Sequence, residues 1–248
     1  MRHLDLFSGI GGFALAARWS GFETVAFCEI DQYCQKVLAK HWPQVPIYSD
    51  VKKLTRQGLE SDGIYQPDII TGGFPCQPFS LAGKQRGQDD NRHLWPEMLR
   101  IISELHPAWV VGENVSGFVR LGLDDCLFDL ESQGYAVQSF IIPACAVNAS
   151  HRRDRVWIFA NSNGERMETD RRSSQTKKAE RKPFKADQCS LSRRSADREW
   201  KLKPSMARVV HGIPNRVDRI KGLGNAVVPQ LVYNLFQIIK QVDNNDVR

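Results

Sequence analysis

The chain alternates short β-rich runs with helical stretches from residue 2 to residue 160, and no other feature restricts its fold so strongly. Runs rich in β-branched and aromatic residues at 3–7, 24–28, 68–71, 109–112, 136–141 and 156–160 read as strands. Between them, 13–19, 32–41, 94–105 and 124–132 carry apolar residues at helical spacing. Such alternation predicts an α/β fold with a doubly wound, mostly parallel sheet. Ligands in such sheets sit at the carboxyl ends of the strands. At 248 residues the chain can bury one substantial core and at most a small appended module.

The pattern stops around Asn161. From there to about Trp200 large apolar residues are sparse (Met167, Phe184, Leu191, Trp200), too few for a separate core. Thirteen Lys/Arg and seven Asp/Glu fall within 164–203, so this segment holds the whole net charge of +6 and leaves a neutral remainder. A neutral body with one basic segment suits local contact with a polyanion; a solvated insertion is an equal reading of the charge alone. Order is expected to resume near Pro204. Pro229 opens a final amphipathic helix with Leu231, Leu235 and Ile238 on one face, expected to pack on the first domain. The resulting division is 1–160, a short basic segment 161–203, and a returning segment 204–248.

No run approaches the roughly 18 apolar residues of a membrane span, and the N-terminus leads into a strand rather than a signal peptide. A cytoplasmic, soluble monomer that touches no membrane is the expectation. The six cysteines (Cys28, Cys34, Cys76, Cys126, Cys145, Cys189) include no C-x-x-C pair, so neither a metal site nor a disulfide framework is expected. Reduced thiols follow, and one of them is free for chemistry.

Five motifs carry chemical interest. In Asp5-Leu6-Phe7-Ser8-Gly9-Ile10-Gly11-Gly12-Phe13 a strand ends in a glycine-rich turn that a nucleotide-like cofactor can approach closely. It lacks the third glycine of G-x-G-x-x-G, Ala14 and Leu15 following instead, which excludes the dinucleotide oxidoreductase fingerprint. Glu29 ends the next strand, where a carboxylate can accept from ribose hydroxyls, and Asp50 is placed to end a third and hold an adenine edge. Each acid alone reads equally well as a helix cap; their ordered series favours a cofactor. In Gly72-Gly73-Phe74-Pro75-Cys76-Gln77-Pro78-Phe79-Ser80 a cysteine sits on a stiff loop after an apolar strand, a better place for a nucleophile than for a packed thiol.

Glu113, in Gly112-Glu113-Asn114-Val115, is an acid at the end of the strand 109–112, expected to come near Cys76 at one sheet edge. A nucleophile beside an acid suits addition to a ring that must be protonated as it is attacked. His151-Arg152-Arg153-Asp154-Arg155-Val156 leads arginines into a strand, and Gly222-Leu223-Gly224-Asn225-Ala226-Val227-Val228-Pro229 reads as a glycine loop before the last helix.

These segments, in this order, resemble the DNA cytosine-C5 methyltransferases over almost the whole chain outside 161–203. The resemblance implies a Rossmann-like fold dependent on S-adenosylmethionine, without metal, with 1–160 catalytic and 161–203 a small basic target-recognition segment. It implies cofactor contacts from Phe7, Gly9, Ile10, Gly12, Glu29, Ile30, Asp50, Val51, Pro75, Asn225 and Val227. It also implies that Cys76 attacks cytosine C6, that Glu113 contacts N3, and that Arg153 and Arg155 steady an extruded base of double-stranded DNA. His151 stands where the family commonly has Gln, and the target-recognition region is short. A transfer-RNA methyltransferase of the same superfamily and a silent DNA-binding relative are the rival readings; Cys76, Glu113 and Arg155 together speak against the second.

Overall fold

The computed structural model describes residues 1–75, 94–149, 151–162 and 216–246. The expected alternation is there: β1 Arg2–Leu6, α1 Gly12–Trp19, β2 Glu23–Cys28, α2 Gln32–His41, β3 Ile47–Tyr48, α3 Arg56–Ser61, β4 Ile69–Gly72, α4 Trp95–Leu105, β5 Trp109–Val115, α5 Leu123–Ser132, β6 Ala136–Pro143, β7 Asp154–Asn161, α6 Arg216–Asn225 and α7 Pro229–Asp246. The strands form one seven-stranded sheet in the order β3-β2-β1-β4-β5-β7-β6. Only β7 is reversed, pairing antiparallel with both β5 and β6. The mostly parallel sheet is thus as expected.

Local chemistry sets the helix starts. Asp31 caps α2 by accepting from the backbone N–H of Tyr33 and Cys34, and the Thr55 hydroxyl caps α3 at Gly58 N–H. Asp124 and Asp125 stand in the first turn of α5, where carboxylates complement the helix dipole. Apolar faces then cover the sheet from both sides. On one, α4 and α5 bury Trp95, Met98, Ile101, Ile102, Leu105, Cys126 and Leu130 against Leu4, Leu6, Ile70 and Val110. On the other, α1 and α7 bury Phe13, Ala16, Ala17, Leu231, Val232, Leu235, Phe236 and Ile239 against Ile69, Trp109, Val111 and Trp157.

Helix α7 differs from expectation in its facing. Leu231 and Leu235 are buried, but Ile238 is half exposed, and Val232, Phe236 and Ile239 complete the buried stripe. Burying these five side chains contributes roughly 10 kcal/mol in gross transfer free energy. The helix rolls because α1, with Ala16 and Ala17 at its surface, lets the larger ring of Phe236 in against Phe22.

The core also holds a polar layer. His3 is fully buried on β1, with Nδ1 3.0 Å from Thr24 Oγ1 and Nε2 2.8 Å from Thr71 Oγ1. Thr71 donates in turn to Asp5 Oδ1 at 3.1 Å, while Asp5 Oδ2 has no partner. Burial pushes the His3 pKa down to about 3 and the Asp5 pKa up to about 8, so both side chains are neutral in the fold.

Candidate active site

The carboxyl ends of the parallel strands stand side by side, so the sheet order sets the row Asp50, Glu29, Phe7 to Gly9, Gly73 to Pro75 and, within the end of β5, Glu113. After β1 the backbone passes through positive φ at Phe7 (53°), Gly9 (54°) and Gly11 (86°). Gly11 is required on two counts: its φ, and Trp42, whose ring would lie 2.7 Å from an added Cβ. Ser8 locks the turn by donating to the Asp5 carbonyl at 2.6 Å.

Glu29 is nearly buried at the end of β2 and both carboxylate oxygens accept backbone N–H groups, Oε2 from Gly9 at 2.6 Å and Oε1 from Asp31 at 2.8 Å. Its orientation is thereby fixed from two sides, and each oxygen keeps a lone pair for a further donor. Ile30 beside it is 74% exposed, an apolar side chain available to a flat ring. Asp50 follows β3 and accepts from Lys52 N–H at 3.0 Å, holding a turn. Val51 is buried in the core and its carbonyl accepts from Arg100, so its side chain faces inward, away from the row of strand ends.

The C-terminal segment comes back onto this turn. A Cβ on Gly12 would lie 2.8 Å from Val227 Cγ2, and one on Gly222 would lie 3.0 Å from Ile10 Cγ2. The expected glycine loop is therefore a correction: α6 continues through Gly222 and Gly224 to Asn225, because the bare Cα of Gly222 lets the helix sit directly on Ile10. Asn225 is exposed at its end, and only 226–228 remain as a connection to α7. Lys221, absent from the sequence-derived set, forms an ion pair with Asp31 at 2.7 Å and so joins α6 to the start of α2.

Phe74 roots the loop that leads to Cys76. It is buried between Trp95 and Phe118, with ring centroids 5.1 and 5.4 Å away. Its carbonyl accepts from the buried Asn114 amide at 3.2 Å. Asn114 has no role in the sequence-derived set, since nothing local to its motif pairs it with a carbonyl forty residues away. Pro75 is exposed, and Cys76 lies outside the described residues. Of the described cysteines, Cys28 and Cys34 are buried with thiol pKa values pushed up to about 12, which makes them inert as nucleophiles.

Glu113 differs from expectation in lying inside a strand. Pairing of β5 with β4 ends at Gly112, but the antiparallel β7 carries the ladder on to Val115 opposite Arg155. That register brings the Arg155 Nε to 2.7 Å from Glu113 Oε1. The other oxygen, Oε2, faces Gly73, where an added Cβ would lie 3.2 Å away. Burial raises the Glu113 pKa above the ordinary carboxylate value, against the opposing pull of Arg155 and Arg153. Arg153, at φ 35°, is half-buried, and burial together with Arg155 lowers its pKa. Glu113, Arg153 and Arg155 line one small cavity with Val227 and Leu231, so the acid, both arginines and the C-terminal connection meet there.

The basic segment lies almost wholly among residues 163–215, outside the described residues. Among the described residues no helix is long and apolar enough to cross a membrane, and no cluster of three His, Cys, Asp or Glu side chains is placed to hold a metal.

The C-5 cytosine-specific DNA methylase family matches residues 1–211. Similar curated proteins include the type II methyltransferase M.HgiBI of Herpetosiphon aurantiacus, 36% identical over 63% of this chain and 36% of that protein. M.AquIA of Picosynechococcus is 32% identical over 65% of this chain and 72% of that protein, and M.HhaI of Haemophilus parahaemolyticus is 30% identical over 66% and 50%. Among solved structures, a protein described as a DNA modification methyltransferase encoded within an E. coli prophage superposes with a TM-score of 0.57 at 30% identity, over 65% of this chain and 46% of that one. The Dnmt2 of Spodoptera frugiperda gives 0.55 at 27% identity, over 65% and 50%. The chain thus spans between about a third and a half of the length of most of these relatives. With a family match across more than four fifths of its length and these folds in common, the chain belongs to the C-5 cytosine-specific DNA methylase family.

Proposed function

We propose that this chain transfers a methyl group from S-adenosylmethionine to C5 of a cytosine extruded from duplex DNA, through a covalent adduct between Cys76 and C6. One observation carries the reading: a buried carboxyl, Glu113, is held against Arg155 at 2.7 Å with its second oxygen over Gly73, at the root of the loop that leads to Cys76. An acid whose pKa burial raises, at the root of the loop that leads to a cysteine, suits addition to a pyrimidine.

The residues present fit the cofactor. Glu29 is fixed by two backbone amides yet retains lone pairs for ribose hydroxyls; Phe7, Gly9, Ile10 and Gly12 form a turn open to close approach; and Ile30 offers exposed apolar surface to an adenine. Asp50, Val51 (through its backbone), Pro75, Asn225 and Val227 complete the proposed contacts. When bound, S-adenosylmethionine supplies an activated methyl group.

The remaining steps belong to the chain. Extrusion exposes C5 and C6, which are unreachable within the base stack. Arg155 is a permanent cation on Oε1, so the acidic proton of Glu113 belongs on Oε2, the oxygen beside Gly73. From there it donates to cytosine N3 as the Cys76 thiolate adds to C6, stabilising the charge that develops on the ring. Arg155 supports the exocyclic oxygen, and Arg153 steadies the base and the loop. Once C5 carries the methyl group, loss of the C5 proton, departure of the Cys76 thiolate and return of the N3 proton to Glu113 restore the aromatic ring.

Residues 1–160 act as the catalytic and cofactor-binding unit, 204–248 as its returning segment, and 161–203 as the basic reader that draws in the phosphate backbone. The protein acts as a cytoplasmic monomer. The test is transfer of a labelled methyl group to duplex DNA, with transfer RNA in parallel and the product mapped at base resolution. Labelled C5-methylcytosine in DNA, lost in Cys76→Ala with DNA binding kept, is the expected result. Labelling of transfer RNA alone overturns the substrate, and unreduced turnover by Cys76→Ala removes the nucleophile.

A further inference from the structure

The turn after β3 has little sheet to hold it. β3 is an edge strand and pairs through two residues, Ile47 with Phe27 and Tyr48 with Cys28. So short a ladder anchors the following chain weakly. Yet Asp50, the acid proposed for the adenine edge, comes two residues later. Inside the turn, Asp50 Oδ1 accepts from Lys52 N–H at 3.0 Å, the Asp50 carbonyl from Lys53 N–H at 3.0 Å and the Val51 carbonyl from Leu54 N–H at 3.3 Å.

The remaining hold comes from α4. Glu97, Arg100 and Glu104 recur at helical spacing and so share one face of that helix. Arg100 engages all three guanidinium nitrogens: Nε donates to Glu97 Oε2 at 3.0 Å, Nη1 to Glu104 Oε1 at 2.6 Å and Nη2 to the Val51 carbonyl at 2.9 Å. Glu104 Oε2 accepts in turn from Arg56 N–H at 3.0 Å, where α3 begins. One network thus grips the turn at both ends. Each of the three charged side chains is about a third exposed, and a lone ion pair so placed contributes little. Here two carboxylates fix a planar guanidinium, so its last N–H is aimed at the carbonyl. The buried face of α4, with Met98, Ile101 and Ile102, packs in the same core as Val51 and Leu54 and gives the network a rigid base.

We propose that Arg100 is a positioning residue that sets purine selectivity, holding the turn so that the Asp50 carboxylate accepts from the amino group of the cofactor's adenine. The proposal rests on the adenine role given to Asp50 above. A carboxylate with one oxygen on Lys52 N–H keeps lone pairs for a further donor. Without Arg100 the Val51 peptide loses its outside anchor, and the Asp50 side chain next to it loses its fixed position. Ile30, at the end of β2, does not depend on this anchor, so apolar contact with the ring is kept. The loss therefore falls on the amino group rather than on the ring as a whole.

The test is calorimetric titration of the full chain with S-adenosylhomocysteine and with its analogue carrying hydrogen in place of the adenine amino group. The wild type is expected to prefer the amino form by roughly ten- to a hundredfold, the worth of one hydrogen bond to a charged acceptor. Arg100→Met keeps most of the apolar stem and is expected to cut that preference by about tenfold, by weakening the amino form and leaving the analogue's affinity in place. Arg100→Lys keeps a cation for Glu104, but its single nitrogen cannot also serve Glu97 and the Val51 carbonyl; it should show the same loss. Circular dichroism in urea confirms that the variant titrated is folded. Equal weakening of both ligands in the folded variants assigns Arg100 a merely structural role and overturns the proposal, as does an unchanged preference. A wild type that binds both ligands equally also overturns it while leaving the cofactor reading intact. A wild type that binds neither overturns that reading and the proposal with it.

Discussion

Gly12→Ala tests how tightly the cofactor turn depends on the C-terminal segment. Gly12 opens α1 at ordinary helical φ, so alanine brings no backbone strain there and gains up to about 1 kcal/mol in helix propensity. The cost comes from Val227. An added methyl would lie 2.8 Å from its Cγ2 and 3.3 Å from its carbonyl oxygen, roughly 0.6 Å inside ordinary contact at the closer atom. Overpacking of this kind costs about 1–3 kcal/mol, so the net loss of folding stability is about 0–2 kcal/mol. The larger effect falls on the proposed cofactor site, because the chain around Val227 must step back from the turn. Each 1.4 kcal/mol lost there is about tenfold in affinity.

Removing Cγ2 with Val227→Ala should relieve the clash. The double variant is therefore expected to bind S-adenosylmethionine more tightly than Gly12→Ala alone, with a coupling of about 0.5–3 kcal/mol. Urea unfolding followed by circular dichroism, and calorimetric titration of the cofactor, on the wild type, both single variants and the double variant measure the cycle. Additivity within about 0.5 kcal/mol in both measurements would refute the reasoning, because it would mean that the turn and the C-terminal segment are not in contact in solution.

Asp5 has its pKa raised to about 8 and His3 lowered to about 3, so their pH dependences have opposite signs. The stability that neutral Asp5 contributes is complete below the unfolded carboxylate value and is lost as pH rises toward 8; that of neutral His3 is complete above 6.5 and is lost as pH falls toward 3. Of this pair only Asp5 acts between pH 6.5 and 8, so it should lower the wild-type unfolding free energy by up to about 1.4 kcal/mol per pH unit there, and Asp5→Asn should flatten the slope by that amount. An equal slope in the variant removes Asp5 as its source. Asn114→Ala should cost about 2 kcal/mol in urea unfolding and slow single-turnover methyl transfer by loosening the root of the Cys76 loop, leaving cofactor affinity intact. A variant that transfers methyl groups at the wild-type rate shows that this hydrogen bond does not position the loop. Lys221→Ala should quicken cofactor release at low salt, since its pair with Asp31 spans α6 and α2; the difference should vanish at 1 M salt, where the screening length is about 3 Å. Persistence at high salt would assign the effect to packing.

Much of the architecture and part of the candidate site follow from local sequence. The period-2 and period-3.6 patterns place six strands and four helices within a few residues of where they lie, because each pattern records which face of an element is buried. The turn after β1 and Glu29 are legible because a glycine-rich turn and a carboxylate follow successive strands in order, although each alone has other uses. Partnerships across the fold are not written locally. Whether His3 and Asp5 are exposed or buried depends on Thr24 and Thr71 from neighbouring strands. Glu113 meets Arg155 only because β7 inserts antiparallel between β5 and β6, which lengthens β5 beyond its apolar run. The same is true of Val227 on Gly12, Lys221 on Asp31, and the roll of α7 that exposes Ile238. These contacts join residues far apart in sequence, and their geometry is set by strand order, register and packing, which arise only when the whole sheet assembles.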